Sequence, residues 1–217
     1  MISSEGSNEN SGLKFFGKIN ASISHEIRNG LAVMNENAGL IKDLLFMSEK
    51  GHPLDLGRVS ERVKKILEQV KKTNSIVDNM NRFAHSVDND VLRISAGECM
   101  EFVIRLSERF AGMKGVDIIF NAPEERVDIT AFPFLLENLL FLCIEYAINN
   151  ASEEKKIVIS VEKQRDTVRF RFSGIKGDRP EGKFSDFEGI PEKLGAGITD
   201  EDIPGSLILD MPEEYKA

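Results

Sequence analysis

The chain has 217 residues, of which 41% are hydrophobic and 29% are charged, as in ordinary globular proteins. Its formal net charge of −8, carried mostly by residues 174–217, argues against a general nucleic-acid binder. No apolar run approaches the roughly 18 residues of a membrane span. Because residues 1–12 also lack the form of a signal peptide, we expect a cytoplasmic protein with no membrane contact.

The chain starts with a polar, unpatterned lead-in at 1–12, which we predict to be disordered. Two long helices are predicted next, from about Gly12 to Ser48 and from Leu56 to Val87. Apolar residues of the second helix recur at alternating intervals of three and four, which is an uninterrupted heptad seam. Two such helices joined by a short turn form an antiparallel hairpin, so we predict a first domain at 13–88.

The apolar stripe of helix 1 is too wide for one hairpin to cover. Its members are Phe16, Ile19, Ile23, Ile27, Met34, Ala38, Ile41 and Leu45. Pairing with a second identical hairpin would bury both stripes in a four-helix bundle, and we therefore predict a homodimer. The alternative is a hairpin that packs on the rest of its own chain.

His25 lies opposite this stripe when helix 1 is projected at 100° per residue. Asn29 follows one turn later on the same face, and Glu26 is adjacent in the sequence. A histidine held out to water beside a carboxylate and an amide can take part in chemistry on a partner. The alternative is a surface histidine without a role, and we interpret His52 and His85 as solvated or packed side chains of that kind.

A second region, residues 89–217, mixes strands and helices. Its predicted elements are a strand at 91–94, a helix at 95–112, a strand at 116–120, an extended piece at 127–129, a helix at 132–150, strands at 156–162 and 167–172, and a final strand at 206–211. A capping box of Ser95 and Glu98 opens the first helix. The order indicates a sheet covered by helices on one face, which gives an α+β protein.

Three further features of this region are predicted from residue type. Cys99 and Cys143 lie in apolar helical patterns and are too few for a disulfide framework or a metal site, so we predict reduced core thiols. The helix at 132–150 is apolar on most sides and therefore buried on most sides. The irregular stretch 174–217 is either a lost element or a working loop.

The run from His25 to Asn29, His-Glu-Ile-Arg-Asn, resembles the phosphoacceptor motif of two-component sensor histidine kinases, H-E-[L/I]-R-[N/T]-P-L. In that family the motif lies on the first helix of a dimeric hairpin, which an ATP-binding α/β sandwich follows. The end of helix 2 at 81–85 and the later order of strands and helices are similar to that family, so the resemblance covers roughly residues 13–173. It implies a dimeric four-helix bundle followed by a kinase-like α/β sandwich.

Several departures from the family pattern imply that the sandwich is degenerate. Leu142 and Tyr146 stand where the resemblance places magnesium-binding asparagines, and Ser173 stands where it places the adenine-contacting aspartate. The glycine-rich lid is reduced to residues 195–197 without a convincing helix after it, and Gly30 replaces the usual proline of the histidine motif. Without these oxygen ligands we expect the chain neither to bind ATP usefully nor to phosphorylate itself.

What remains resembles the dimeric histidine phosphotransferases of phosphorelays. We predict a phosphotransferase that shuttles a phosphoryl group between His25 and an aspartate of a response-regulator receiver domain without using ATP. No cofactor or metal is expected on this chain, since Mg²⁺ would come with the receiver domain. Two alternatives stay open, a non-catalytic kinase-like module that binds a regulator or a kinase, and a phosphatase of a phosphorylated regulator.

The resemblance and the helix geometry together suggest a role for each residue of the motif. The neutral imidazole of His25 would attack, and Glu26 would accept a hydrogen bond from one ring nitrogen and fix the tautomer. Asn29 would orient a water or a phosphoryl oxygen, and it would carry any phosphatase activity. Arg28 would stabilise phosphate charge or pair with a carboxylate of the partner. The receiver is predicted to dock on helix 1 at Ser22, Ala32 and Glu36.

Overall fold

The computed structural model describes residues 5–88, 90–176, 187, 189–199 and 205–215. Its elements are α1 (Glu5–Glu49), α2 (Leu56–Ser86), β1 (Leu92–Ser95), α3 (Ala96–Lys114), β2 (Asp117–Asn121), β3 (Asp128–Ala131), α4 (Pro133–Asn149), β4 (Lys156–Lys163), β5 (Thr167–Ser173), α5 (Ile190–Leu194), β6 (Gly197–Thr199) and β7 (Ser206–Pro212). Two long helices followed by a sheet with helices confirm the predicted α+β class. Within the described part of the chain, no helix has the length and apolarity needed to span a bilayer.

One compact unit, residues 17–83, holds most of α1 and α2. A Cβ atom on Gly30 would lie 2.5 Å from Thr73 Oγ1, and further along α1 Arg62 Nη1 donates a hydrogen bond to Asn37 Oδ1 at 3.5 Å. Residues later in α1 therefore contact residues earlier in α2. The two helices are antiparallel, as the sequence predicts.

The helix α1 begins at Glu5, earlier than the predicted start at Gly12. Residues 5–12 are therefore helical, which corrects the prediction of a disordered lead-in over this stretch. Extending an existing helix requires no new nucleus, so polar residues of modest helix propensity can join its end.

The apolar stripe of α1 is only partly covered within the hairpin. Ile19 and Ile23 are buried, Ile27 and Met34 are half-buried, and Leu45 is 47% exposed. One antiparallel partner helix covers only one flank of so wide a stripe. The hairpin therefore leaves much of its apolar surface in contact with water.

The heptad seam of α2 is also covered only in part, because it consists of two lines of residues that differ in burial. Thr73 is buried and the neighbouring members of its line are half-buried, namely Val59, Ile66 and Met80. The other line is exposed along its whole length and comprises Leu56, Val63, Val70 and Val77. These four residues repeat every seventh position, so they form one continuous apolar face.

The second compact unit comprises residues 84–217 together with the start of α1 up to Phe16. Its main sheet has the strand order β2-β4-β5-β7-β6, in which β2 and β4 are parallel and the other neighbours are antiparallel. The strands β1 and β3 pair separately. The helices α3 and α4 pack on each other and against the sheet. The domain boundaries predicted at 13–88 and 89–217 stay a prediction.

The predicted alternation of β5 is observed. Phe170 and Phe172 are fully buried, while Arg169 and Arg171 on the opposite face are half-buried. The guanidinium of Arg169 donates two hydrogen bonds of 2.8 Å to the carboxylate of Asp210 on β7. The period of two in this strand therefore separates the core of the unit from a polar outer face.

The helices α3 and α4 also begin and pack as their residues predict. Ser95 Oγ accepts a hydrogen bond from the backbone N of Glu98 at 3.4 Å, and Gly115, whose φ is +63°, caps the end of α3 after Lys114. Cys99 and Cys143 are unbridged and buried, as predicted. Burial raises the pKa of the Cys143 thiol, so this group is an inert part of the core.

The two short elements α5 and β6 were not predicted. They surround Gly195-Ala196-Gly197, which we interpreted as what is left of a glycine-rich lid without a convincing helix after it. In the structure these residues follow α5, and Gly195 ends that helix with a φ of +63°. Gly197 then opens β6, which pairs with β7. Gly195 therefore ends a helix, and Gly197 begins a strand.

Candidate functional site

The imidazole of His25 is exposed on α1, and the structure gives it a defined partner. Asn29 Nδ2 lies 3.1 Å from His25 Nδ1, at hydrogen-bond distance, and Asn29 is itself exposed. The contact follows from helix geometry, because residues four apart face each other on one side of a helix. The amide thus holds the ring by Nδ1 and leaves its Nε2 edge directed away from this contact.

The Asn29 amide can support either neutral tautomer of His25. In the observed orientation Nδ2 donates to Nδ1, and the ring proton then resides on Nε2. A half-turn of the amide would present Oδ1, which would accept a hydrogen bond from a protonated Nδ1. In that state Nε2 carries a lone pair that is available to attack an electrophile.

In the structure the hydrogen-bond partner of the His25 ring is Asn29, whereas we predicted Glu26 from the sequence. Consecutive residues on a helix point about 100° apart and do not face each other. Glu26 is half-buried and Arg28 is exposed on the flank of the site. The roles proposed for Glu26 and Arg28 stay predictions.

The three residues expected to receive a partner differ in exposure. Ala32 and Glu36 are exposed, as the helical projection predicts. Ser22 is only 3% exposed, which corrects its placement on an open docking surface. Ser22 follows the fully buried Ile19 by three residues and shares its side of α1. The exposed face around His25 therefore runs towards Ala32 and Glu36.

The positions of the expected nucleotide ligands lie on α4 and at the end of β5. Leu142 and Tyr146 are half-buried on successive turns of α4. The end of α4 is tied to the segment after β5, because the backbone N of Lys176 donates to Asn150 O at 2.8 Å. At the end of β5, Ser173 Oγ is 3.1 Å from Ser206 Oγ.

These residues do not fit a magnesium nucleotide. Mg²⁺ prefers carboxylate, amide or phosphate oxygens, and Leu142 has no oxygen in its side chain while Tyr146 offers only a phenol. The hydroxyl of Ser173 is shared with Ser206 and carries no charge to receive an adenine amino group. Gly177, the last residue of the motif, lies outside the described residues.

Comparison with known proteins finds likeness among solved structures. No family model matches the chain, and no curated protein sequence matches it. The catalytic domain of the histidine kinase ThkA is 21% identical, covers 59% of this chain and all (100%) of that chain, and has a TM-score of 0.49. The histidine kinase AdeS of Acinetobacter baumannii is 14% identical over 87% of this chain and 98% of that chain, with a TM-score of 0.46.

A third similar structure is the histidine kinase ThkA in complex with the response regulator protein TrrA. It is 18% identical, with a TM-score of 0.47, and the match covers 95% of this chain but 64% of that chain. Because these likenesses are distant, the side chains of the protein itself carry the case for its function.

We did not predict any role for Asn138, one turn before Leu142 on α4. It is 1% exposed, and neither polar atom of its side chain has a hydrogen-bond partner among the described residues. The signal available in the sequence is an uncharged amide in the middle of an apolar helix. Only the packing around that helix shows that the amide is unpaired.

Proposed function

We propose that the protein is a histidine phosphotransferase of a two-component phosphorelay. In this proposal it passes a phosphoryl group between His25 and the aspartate of a response-regulator receiver domain, and it uses no ATP. The observation that carries the proposal is the exposed His25 imidazole held by Asn29 at 3.1 Å on an open helix face. A rigid helix offers such a ring to a partner without any rearrangement of its own backbone.

The transfer is a displacement at phosphorus. The lone pair of His25 Nε2 attacks the phosphorus of the receiver's aspartyl phosphate, an N–P bond forms, and the P–O bond to the aspartate breaks. The aspartate leaves as a carboxylate, and the phosphorylated ring keeps the proton on Nδ1, which Asn29 Oδ1 accepts after the half-turn of the amide. The reverse reaction returns the phosphoryl group to an aspartate. Mg²⁺ bound by the receiver would neutralise charge on the phosphoryl oxygens.

The replaced residues on α4 and β5 support the part of the proposal that excludes ATP. Leu142 and Tyr146 supply neither carboxylate nor amide oxygen, and Ser173 supplies no charge for an adenine amino group. We therefore propose that the phosphoryl group enters from a phosphorylated receiver.

The exposed line of α2 supports a homodimer. Leu56 is 71% exposed and Val63, Val70 and Val77 are also exposed, at intervals of seven residues. A line of this period matches the seam by which helices pack in bundles, and a second copy of the same hairpin presents the same line. We propose that two hairpins cover each other's exposed line in a four-helix bundle.

The proposal is tested with a receiver domain carrying labelled phosphate on its aspartate. Acid-labile label that moves to the wild-type chain, and not to His25→Gln, supports phosphotransfer. Label released as inorganic phosphate by His25→Gln but not by Asn29→Ala would instead support the phosphatase alternative. Stable binding of the receiver without any movement of label would support the non-catalytic module and contradict the proposal.

A further inference from the structure

The strand β2 lies at one edge of the main sheet, because β4 is its one neighbour among the described strands. The pairing with β4 is parallel, and the backbone N of Asp117 donates to Lys155 O at 2.8 Å. Since alternate residues of a strand direct their backbone groups to opposite sides, the N–H and C=O groups of Ile118 and Phe120 point away from β4. These groups have no hydrogen-bond partner among the described residues, so the edge is open to a further strand.

A groove of about 760 Å³ lies beside this edge, between α3 and the segment that follows β2. Its lining includes two half-buried apolar side chains, Ile104 of α3 and Phe120 of β2. Its charged lining consists of five exposed glutamates and two exposed arginines, namely Glu98, Glu101, Glu108, Glu124, Glu125, Arg105 and Arg126. Side chains of an added strand that share the face of Phe120 would point into this groove.

The charge of the groove selects the kind of segment that fits it. Both arginines already form ion pairs, Arg105 with Glu101 at 3.5 Å, and Arg126 with Asp128 at 2.8 Å and with Glu98 at 3.8 Å. Three glutamates have no ion pair within the part of the chain that the structure describes, namely Glu108, Glu124 and Glu125. Their negative charge attracts a basic partner, and it repels the same groove of a second copy.

We propose that this edge binds an extended, basic segment of a partner protein, which adds to β2 as an antiparallel strand. Antiparallel pairing is the more stable kind, and in it Ile118 and Phe120 would each exchange two hydrogen bonds with the residue opposite. The side chains of those opposite residues lie on the groove face. Lysine or arginine there places its aliphatic stem on Ile104 and its charge among the glutamates.

The other face of the added strand meets a different surface. Ile119 points to that face and is 39% exposed, so an apolar residue of the added strand can cover it. The segment that this edge recognises therefore carries a basic residue at every second position and apolar residues between them.

The test measures binding of the synthetic peptide Thr-Lys-Val-Arg-Val-Lys-Thr to the full chain by isothermal titration calorimetry. Two N-methylated forms of the peptide keep its charge. Methyl groups on the three basic residues remove the N–H groups that would face β2, and we expect this form to bind at least about 10-fold more weakly. Methyl groups on the two valines remove N–H groups that would face water, so that form should bind like the parent peptide.

A pair of variants at Phe120 tests the same hydrogen bonds from the side of the protein. Phe120→Ala and Phe120→Pro both lose the ring, but only the proline also loses the outward N–H group. The sheet tolerates a proline at this position, because that N–H group is not bonded to β4. We expect Phe120→Pro to bind the peptide at least about 10-fold more weakly than Phe120→Ala, and circular dichroism checks that both variants are folded.

A second pair of variants tests the charge without changing the strand. Glu101→Gln combined with Glu108→Gln should weaken binding by about 10-fold at low ionic strength, and the difference from the wild type should vanish at about 1 M salt. The matched control is Glu49→Gln combined with Glu68→Gln, which makes the same charge change at exposed positions of the hairpin and should bind like the wild type.

Several outcomes would overturn the proposal. They are no binding of the parent peptide at about 1 mM, equal binding of the two methylated forms, and equal binding by the two double variants. Self-association of the wild type that is lost in Phe120→Pro and kept in Phe120→Ala would place a second copy at this edge, which also contradicts the proposal. His25→Gln should bind the peptide like the wild type, so the result is independent of the proposed phosphotransfer.

Discussion

The hairpin and the α/β unit differ in how well their cores are buried and in which chemical groups they display. The α/β unit has a well-buried core, as the fully buried Phe170 and Phe172 show, whereas Leu142, Tyr146 and Ser173 offer neither a carboxylate nor an amide at the positions where the resemblance places nucleotide ligands. The hairpin has a sparse core and much exposed apolar surface, but it displays His25 in contact with Asn29. The comparison teaches that the burial of a core and the display of chemical groups are separate properties of a fold.

The difference has a consequence for stability. The core of the α/β unit is formed by residues of its own chain, whereas the exposed line of α2 is not buried by the single hairpin. If a second copy of the chain buries this line, the stability of the hairpin depends on protein concentration, while the stability of the α/β unit does not. Four predictions follow from the contrast.

The largest expected effect is on the dimer. Changing Val70 and Val77 together to aspartate places two charges in the middle of the exposed line, where pairing would desolvate them. We expect the dissociation constant of the homodimer to rise by about 100-fold or more. Sedimentation equilibrium measures it, with Lys71→Asp, an exposed position beside the line, as the control. A wild-type chain that is monomeric at high concentration would contradict the prediction.

The next effect is on the chemistry of His25. Asn29→Leu removes the hydrogen bond at Nδ1, and we expect the rate of phosphoryl transfer to fall by about 10- to 100-fold. Asn29→Asp should keep most of the rate, because a carboxylate accepts from a protonated Nδ1 and leaves Nε2 as the nucleophile. Rapid-quench kinetics with a labelled receiver measure both rates. Asn35→Leu, an exposed asparagine on the same helix, should transfer normally; equal rates for Asn29→Leu and the wild type would refute the role of the amide.

A smaller effect concerns the contact between the two helices. An alanine Cβ at Gly30 would lie 2.5 Å from Thr73 Oγ1 and 3.0 Å from Gln69 Nε2, so these side chains must turn away or the two helices must move apart. We expect Gly30→Ala to lower the free energy of unfolding by about 1–3 kcal/mol. Gly39→Ala has open space and should raise it by about 0.5–1 kcal/mol, as for an ordinary helical glycine. Urea denaturation of both variants checks the sign, and a stabilising Gly30→Ala would show that the helices are further apart.

The smallest expected effect is that of nucleotide on the α/β unit. Because Leu142, Tyr146 and Ser173 supply no ligand set for a magnesium nucleotide, ATP with Mg²⁺ should leave the thermal midpoint unchanged. Differential scanning calorimetry over a range of ATP concentrations makes the measurement. A midpoint that rises by several degrees with ATP concentration would mean that the unit still holds nucleotide, and the contrast between the two regions would fail.

Much of this structure follows from local patterns. The period of two in β5, the heptads of α2 and the capping box at Ser95 and Glu98 are each set by neighbouring residues, and each is found where it was predicted. The contact of His25 with Asn29 also follows from helical spacing alone, although we expected Glu26 to fill that place.

The remaining features depend on tertiary packing. The burial of Ser22 depends on which flank of a wide apolar stripe is covered, and the sequence of α1 alone does not choose the flank. The five residues of α5 are too few to show a helical period. The burial of the Asn138 amide without a hydrogen-bond partner among the described residues depends on the packing around α4.

The most direct test is to identify the N–P bond by ³¹P nuclear magnetic resonance after the protein is incubated with a phosphorylated receiver domain. Because Asn29 holds Nδ1, we expect a single phosphohistidine signal, from phosphate on Nε2 of His25, which is absent from His25→Gln. Only aspartyl phosphate and inorganic phosphate in the spectrum, or phosphate on Nδ1, would contradict the account.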